Sequence, residues 1–588
     1  MNRLGQYKAA RGAALAALGA AALLGFADVA LHGGGLEPWV AGATVLLWVL
    51  LAVPVGLGLG LAGWRWGARR QARSEASTDH PRARRIEAIA IGSLIGAPLI
   101  ATGFAASRYE APRLPASPAA SALHAPVRNV VLIVLDTLRA DHIGALGGAP
   151  DLTPRLDAFS QSAVSFERCF ATASWTVPTH ASLFTGLFSR SHGASFERDP
   201  ELADRFTTLA EGMAQAGYRT AAFVSNPYLG WANLDQGFEL FRHVTSPFST
   251  LTIRKPLAAL GGPARWIDEG ATQTAREVEA FLRDRAHGDE KSGLLLFINL
   301  LEPHWRHLPP ARQRHEATTD EGYIAATLTA SRFYGPQAMA RGALSAGDLD
   351  TLRALYAAEV RYQDEQLGEI LDAIDRRLDP RHTLLMITAD HGENLGEAGR
   401  FDHIFALNDH LIRVPLFIRL PDRFPAGQKR TDLCQSVDIP ATVRGALAAS
   451  ATTISVGVGR DLASPDEAPR RHIFAEGDPY LDHLARMREA GAPAARLAAL
   501  AQPLRAVRND RFKLVRSDEG SAKLYDVVHD PDEQEDVAAR YPRVFDELAS
   551  ALDRWQRSQP AFPADTGRAP RTPSPETRAR LEALGYSR

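Results

Sequence analysis

The stretch Asn129-Val-Val-Leu-Ile-Val-Leu135 is an unbroken apolar run, rich in β-branched residues, that stops at Asp136. A strand with one wet face alternates polar and apolar side chains. A run without alternation suits a strand covered on both faces, as in a parallel sheet between helical layers. Residues 220–224, 294–300 and 383–388 are runs of the same kind, while 207–216 and 352–376 have helical spacing. This alternation predicts an α/β fold with a mostly parallel central sheet flanked by helices. Ligands of such sheets bind beyond the carboxyl ends of the strands, so the polar residues just past those ends are the ones to read.

Asp136 directly follows the first run. Glu302 and His304 follow the third, and Asp390, His391 and Gly392 follow the fourth. Carboxylates and imidazole are hard-to-borderline ligands that suit a divalent ion such as Mg, Mn, Zn or Ca. A further segment reads Ser174-Trp-Thr-Val-Pro-Thr-His180-Ala-Ser-Leu-Phe-Thr-Gly186. Pro178 fits the first turn of a helix, which places Thr176 at or beside its N-cap. Helix N-termini attract anions, and a hydroxyl there that also meets a metal becomes a nucleophile. An ordinary capping Thr fits the same pattern. His403, in Gly399-Arg-Phe-Asp-His403, is suited to proton donation at neutral pH.

Taken in order, these segments resemble the sulfatase family of the alkaline phosphatase superfamily. The resemblance rests on Leu135-Asp-Thr-Leu-Arg-Ala-Asp-His142, Leu152-Thr-Pro-Arg-Leu-Asp157, the Thr176 segment, Glu302-Pro-His304, Ala389-Asp-His-Gly-Glu393 and Arg413-Val-Pro-Leu-Phe-Ile-Arg419. It continues through Arg505-Ala-Val-Arg508 and Leu524-Tyr-Asp526, which resemble the family's smaller C-terminal antiparallel sheet.

The resemblance implies one divalent metal held by Asp136, Thr176, Asp390 and His391, with Thr176 as nucleophile. It implies a substrate contact by His304 and proton transfer or an anion contact by His403, while His180, near the helix start, would either contact the transferred group or pack. The alternative is a second metal site, as in two-metal relatives, completed by Glu302, Asp402 and His304.

The chain also departs from the family's pattern. Sulfatases use a cysteine, oxidised to formylglycine, with Pro and Arg two and four residues later. Here Thr176 stands in the cysteine position, Pro178 is kept and His180 replaces the Arg. Cys169 and Cys434 both lie outside that motif, so formylglycine is not expected. The family's paired Asp-Asp is Asp136-Thr137, and its later Lys and His give way to Ser225-Asn226-Pro227-Tyr228. The remaining set resembles phosphoethanolamine and phosphoglycerol transferases, and phosphonate monoester hydrolases share its Asp, Asp and His.

A formylglycine hydrate expels sulfate by re-forming its aldehyde, whereas a threonine ester must be resolved by attack at sulfur or phosphorus. Metal-assisted displacement of that kind suits phosphoryl groups. The implied function is a metal-dependent hydrolase of sulfate or phosphate esters. The alternatives are a transferase modifying envelope lipids or glycans, and a binding protein with a relict site.

Charge divides the chain. Residues 1–107 hold ten Lys/Arg and five Asp/Glu, net +5, and the remainder is net −7. The first part contains three apolar stretches, 12–31, 38–64 and 88–106, the last two without any charge. About 20 such residues cross a bilayer core of roughly 30 Å. Arg65, Arg69, Arg70, Arg73, Arg82, Arg84 and Arg85 lie between the second and third, and the loop between the first two lacks Lys and Arg.

The positive-inside rule then places the N-terminus in the cytoplasm and everything after residue 107 outside, as a multi-pass inner-membrane protein with a periplasmic catalytic domain. The expected organisation is an anchor (1–107), a linker (108–127), a catalytic domain (128–450), a small-sheet subdomain (451–558) and a tail (559–588). Two cysteines exclude a disulfide framework and a four-cysteine zinc site, and the neutral balance gives no footprint for nucleic acid.

Overall fold

The structure is a computed structural model that describes residues 112–115, 127–195, 200–245, 268–288, 292–304, 307, 309–310, 312–313, 346–447, 452–464, 469–559 and 577–578. The three apolar stretches of the N-terminal part lie outside the described residues. Among the described residues no helix is long and apolar enough to cross a membrane.

Nine described strands make the main sheet. They are β1 (Asn129–Leu135), β2 (Val164–Phe170), β3 (Tyr218–Val224), β4 (Leu240–His243), β5 (Gly293–Leu300), β6 (Thr383–Thr388), β9 (Arg413–Arg419), β10 (Lys429–Arg430) and β11 (Cys434–Gln435). β7 (Asn394–Leu395) and β8 (Phe401–Asp402) form a short hairpin apart from it. The order is β10-β2-β9-β6-β1-β5-β3-β4, with β11 beside β2. β1 pairs in parallel with β5 on one side and β6 on the other, and every one of its residues is buried. That environment explains the unbroken apolar run, because neither face of β1 meets water. β9 is antiparallel to both β6 and β2, so it alone runs against the rest.

Register matters more for function than strand order. Leu135 of β1 lies opposite Leu300 of β5, Val134 lies opposite Thr388 of β6, and Val224 of β3 lies opposite Asn299. Four parallel strands therefore end at one level, and Asp136, Asn226, Leu301 and Asp390 emerge along the same edge. The helix Ala346–Arg377 lays Leu352, Tyr356, Val360, Leu367, Ile370 and Ile374 against the core. This spacing is the apolar stripe expected of a helix with one buried face.

A second, antiparallel sheet follows: β12 (Ile473–Gly477), β13 (Leu504–Arg508), β14 (Phe512–Ser517) and β15 (Ala522–Asp526). The helix Pro542–Ser558 covers it through Leu548, Leu552 and Trp555, and Trp555 stacks on Phe474 at 4.7 Å. Lys513 on β14 is wholly buried. Its ammonium donates to the Leu407 carbonyl at 2.8 Å and Asp409 Oδ1 at 2.9 Å, and it pairs with Glu533. Arg508 donates to the other Asp409 oxygen at 3.0 Å.

Burial alone would raise the Asp409 carboxyl, but Lys513 and Arg508 outweigh it and hold it below the usual range. A carboxyl depressed by folding adds stability above its unfolded pKa, about 3.9, and loses that stability as pH falls through the folded value. Denaturant midpoints should therefore drop below about pH 4. In Asp409→Asn that acid-side slope is expected to flatten, and an unchanged slope would remove Asp409 as its source.

Candidate active site

The turn after β1 is unusual from its first residue. Thr137 sits at φ 55, the left-handed region that β-branched residues avoid at a cost of about 1–3 kcal/mol. The Tyr356 hydroxyl holds it there, donating to the Thr137 carbonyl at 2.8 Å and accepting from the Arg139 N–H at 3.0 Å. The turn aims the Thr137 N–H at Asp390 Oδ1, 3.3 Å away.

Arg139 ties this turn to the loop after β6. Its buried guanidinium donates to the Glu393 carbonyl at 3.1 Å, Glu397 Oε1 at 2.7 Å and Asp141 Oδ2 at 2.6 Å. Asp141 thus braces Arg139. Gly392 belongs to the same junction, because a Cβ there would fall 2.0 Å from the His410 carbonyl oxygen.

These constraints bring Asp136, Asp390 and His391 together, all fully buried, with one ligand atom of each within 4.8 Å of the others. His391 Nδ1 donates to the Gly392 carbonyl at 3.0 Å, which leaves the Nε2 lone pair facing Asp390 Oδ2 at 3.3 Å. Asp136 Oδ1, Asp390 Oδ2 and His391 Nε2 have no hydrogen-bond partner. Buried polar atoms left unpaired cost about 1–3 kcal/mol each, and more when charged. Burial raises the Asp136 carboxyl to about 6 and pushes Asp390 well above the carboxylate range, where the Asp136 charge raises it further. A cation between them would satisfy all three atoms and reverse both shifts. The donor set therefore fits a divalent metal.

Thr176 opens the helix Thr176–Thr185, one residue after its extended N-cap Trp175. Asn226 Nδ2 donates to Asp136 Oδ2 at 2.8 Å and lies 3.3 Å from Thr176 Oγ1, so one amide joins the hydroxyl to the carboxylate. Asn299 Nδ2 adds a contact to Asp136 Oδ2 at 3.4 Å. His180 donates from Nδ1 to the Thr176 carbonyl at 2.9 Å and approaches Asp390 Oδ2 at 3.5 Å. Burial lowers its pKa to about 4, so the ring is neutral and holds the first helical turn in place.

His403 completes the edge. Its ring lies 4.5 Å from that of His391 and 5.0 Å from that of His304. Asp402 Oδ1 and Glu393 Oε2 stand 3.0 and 3.4 Å from its Nδ1. Burial opposes its protonation, but these two carboxylates prevail and raise its pKa well above the usual value. Glu393, Asp402 and His403 form the other described group able to hold a metal. Glu302 stands apart from it. Its Oε1 accepts the N–H groups of Glu269 and Ala271 at 2.9 and 3.2 Å, fastening the loop that carries His304 to the helix Ala271–Gly288.

The residues singled out from the sequence thus lie at this edge, where Glu302 and His180 hold backbone segments in place. Asn226, Asn299 and Glu393 were not singled out. Asn226 follows β3 as Asp136 follows β1, so the same strand-end reading would have found it. Asn299 is the polar residue inside an otherwise apolar strand.

The parallel sheet, the convergent strand ends and the second antiparallel sheet define an α/β fold with a cluster suited to a metal at the carboxyl edge of its main sheet. The chain belongs to the sulfatase family, whose family model, described as Sulfatase, matches residues 128–449. It is similar to an ulvan-active sulfatase of Formosa agariphila, at 25% identity over 72% of this chain and 79% of the relative. It is similar also to an N-acetylglucosamine-6-O-sulfatase of Bacteroides thetaiotaomicron, at 22% identity over 73% and 86%. Among solved structures, the phosphonate monoester hydrolase of Agrobacterium radiobacter shares the fold with a TM-score of 0.54. It is 23% identical, and the match covers 73% of this chain and 95% of that one.

Proposed function

We propose that this chain is a membrane-anchored hydrolase of sulfate or phosphate esters that works through a covalent ester on Thr176. One observation carries the reading. Three buried, unpartnered ligand atoms face one another, and Asn226 links them to the Thr176 hydroxyl. A divalent ion held by Asp136, Asp390 and His391 would supply positive charge where the nucleophile and the ester oxygens become anionic.

The chain's own residues do the rest. Asn226 orients Thr176 Oγ, and the start of the helix Thr176–Thr185 favours the anionic group placed on it. His403, kept protonated by Asp402 and Glu393, is placed to protonate the leaving oxygen, with His304 beside it. The Thr176 ester is then released by attack at sulfur or phosphorus, because threonine has no aldehyde to re-form.

The similarity to sulfatases named for ulvan and N-acetylglucosamine-6-O-sulfate favours a sugar-borne ester. The phosphonate monoester hydrolase and the threonine itself favour phosphorus. The need for an external nucleophile also keeps a transferase reading in play, in which a lipid or glycan hydroxyl replaces water. Support for the anchor comes from the three apolar stretches and the arginine-rich loop between the last two.

The test is a panel of sulfate and phosphate mono- and diesters on the detergent-solubilised chain, with and without an acceptor alcohol. Release of the free acid without acceptor supports a hydrolase, and product formed only with acceptor supports a transferase. His403→Asn is expected to slow esters with poor leaving groups roughly 10²–10⁴-fold and nitrophenyl esters far less. Equal losses on both would remove His403 as the acid. Release of the chain from membranes by alkaline carbonate, without detergent, would refute the anchor.

A further inference from the structure

Cys169 and Cys434 are the chain's two cysteines, and both side chains are wholly buried. They are far apart in sequence, yet β2 and β11 run side by side in parallel with Cys169 directly opposite Cys434. Residues opposite one another on adjacent strands project from the same face. Both cysteines are free thiols in the structure, and the Cys434 thiol donates to the Arg168 carbonyl oxygen at 3.8 Å. Adjacent strands lie about 4.8 Å apart. That spacing falls inside the window of roughly 4.4–6.8 Å between Cα atoms that a disulfide spans.

We propose that Cys169 and Cys434 form an intramolecular disulfide that fastens β2 to β11. The proposal rests on the membrane anchor proposed above, which would place this domain outside the cytoplasm, where thiols are oxidised. The co-reactant is a protein or small-molecule disulfide. One cysteine thiolate attacks it and displaces a thiolate, and the second cysteine attacks the mixed disulfide and displaces the other. The two cysteine thiols lose two electrons and two protons, and the oxidant's disulfide becomes two thiols. Both sulfurs end up shielded from solvent, so exchange takes place before the sheet closes over them.

The bridge sits where it can hold the nucleophile. Cys169 lies seven residues before Thr176. The Ser436 N–H donates to the Phe170 carbonyl at 3.0 Å, and the Ala171 N–H to the Ile412 carbonyl at 2.7 Å, so the bridged segment feeds directly into the site.

The full chain is taken from native membranes, denatured without reductant and treated with an alkylating reagent, then weighed intact. The expected product carries no label and is two hydrogens lighter than the dithiol, and reduction makes both cysteines react. Protein reduced while unfolded and refolded under reductant should have a Tm roughly 3–6 °C below that of the bridged protein. Cys434→Ala should leave Cys169 open to alkylation and match the reduced protein in Tm.

In a second arm the reduced, urea-unfolded chain is returned to detergent with glutathione and its disulfide. A bridge in this arm alone supports the pairing and refutes the proposed location. Two labelled cysteines in both arms overturn the disulfide.

Discussion

Thr176→Ala is expected to lower kcat/KM on the best ester roughly 10³–10⁶-fold, the range seen when a nucleophile is removed from a covalent mechanism. The loss should be chemical and not structural. Thr176 Oγ has one modest contact, at 3.3 Å to Asn226, and Asn226 keeps its shorter bond to Asp136 when the hydroxyl is gone. Deleting such a contact costs about 1 kcal/mol, so Tm should move only a few degrees. Thr176→Ser, which keeps the oxygen, should recover much of the rate. Rapid quenching followed by intact-mass measurement should find the sulfate or phosphate adduct on the native enzyme and none on the alanine variant. An alanine variant within about tenfold of the native rate would sink the proposed mechanism, because in-line attack by water does not need this hydroxyl.

Much of this site was legible because strand ends are legible. The apolar runs at 129–135 and 383–388 stop where the strands stop, so Asp136 and Asp390 could be read as neighbours before their register was known. The hydrogen bonds of Asn226 were not legible. Seen only as the residue that replaces a basic group, it gave no sign of joining Thr176 to Asp136, which depends on β3 ending level with β5.

Arg139 was hidden for another reason. Its partners Asp141, Glu393 and Glu397 lie on two loops, and the Tyr356 hydroxyl that shares its work comes from a helix more than two hundred residues away. The left-handed Thr137 has no sequence signal at all, since glycine or asparagine is the usual occupant of such a turn. Pairing of Cys169 with Cys434 likewise needed the sheet order, in which β11 joins β2 by a crossover.

Asp390→Asn is expected to abolish metal-dependent activity, with a loss of at least about 100-fold in metal affinity. The sharper signature lies in stability. Asp390 Oδ1 is already used by the N–H groups of Thr137 and His391, so the variant can keep these bonds, while Oδ2 faces Asp136 and His391 with no donor. In the metal-free protein two buried carboxylates confront each other, and removing one charge relieves that repulsion.

Chelated native enzyme should therefore have a Tm equal to or below that of chelated Asp390→Asn. Adding Mg, Mn, Ca or Zn should reverse the order. At a hundredfold excess over Kd, binding adds about 2.7 kcal/mol to the native enzyme, roughly 3–4 °C for a domain of this size, and little to the variant. Metal analysis of the same samples should give close to one ion per native chain. A native chain that holds no ion, and whose Tm ignores all four metals, would leave the buried pair without its counter-charge and favour the relict binding protein. A variant that loses Tm even under chelation would instead assign Asp390 to structure, with its two backbone bonds as its whole contribution.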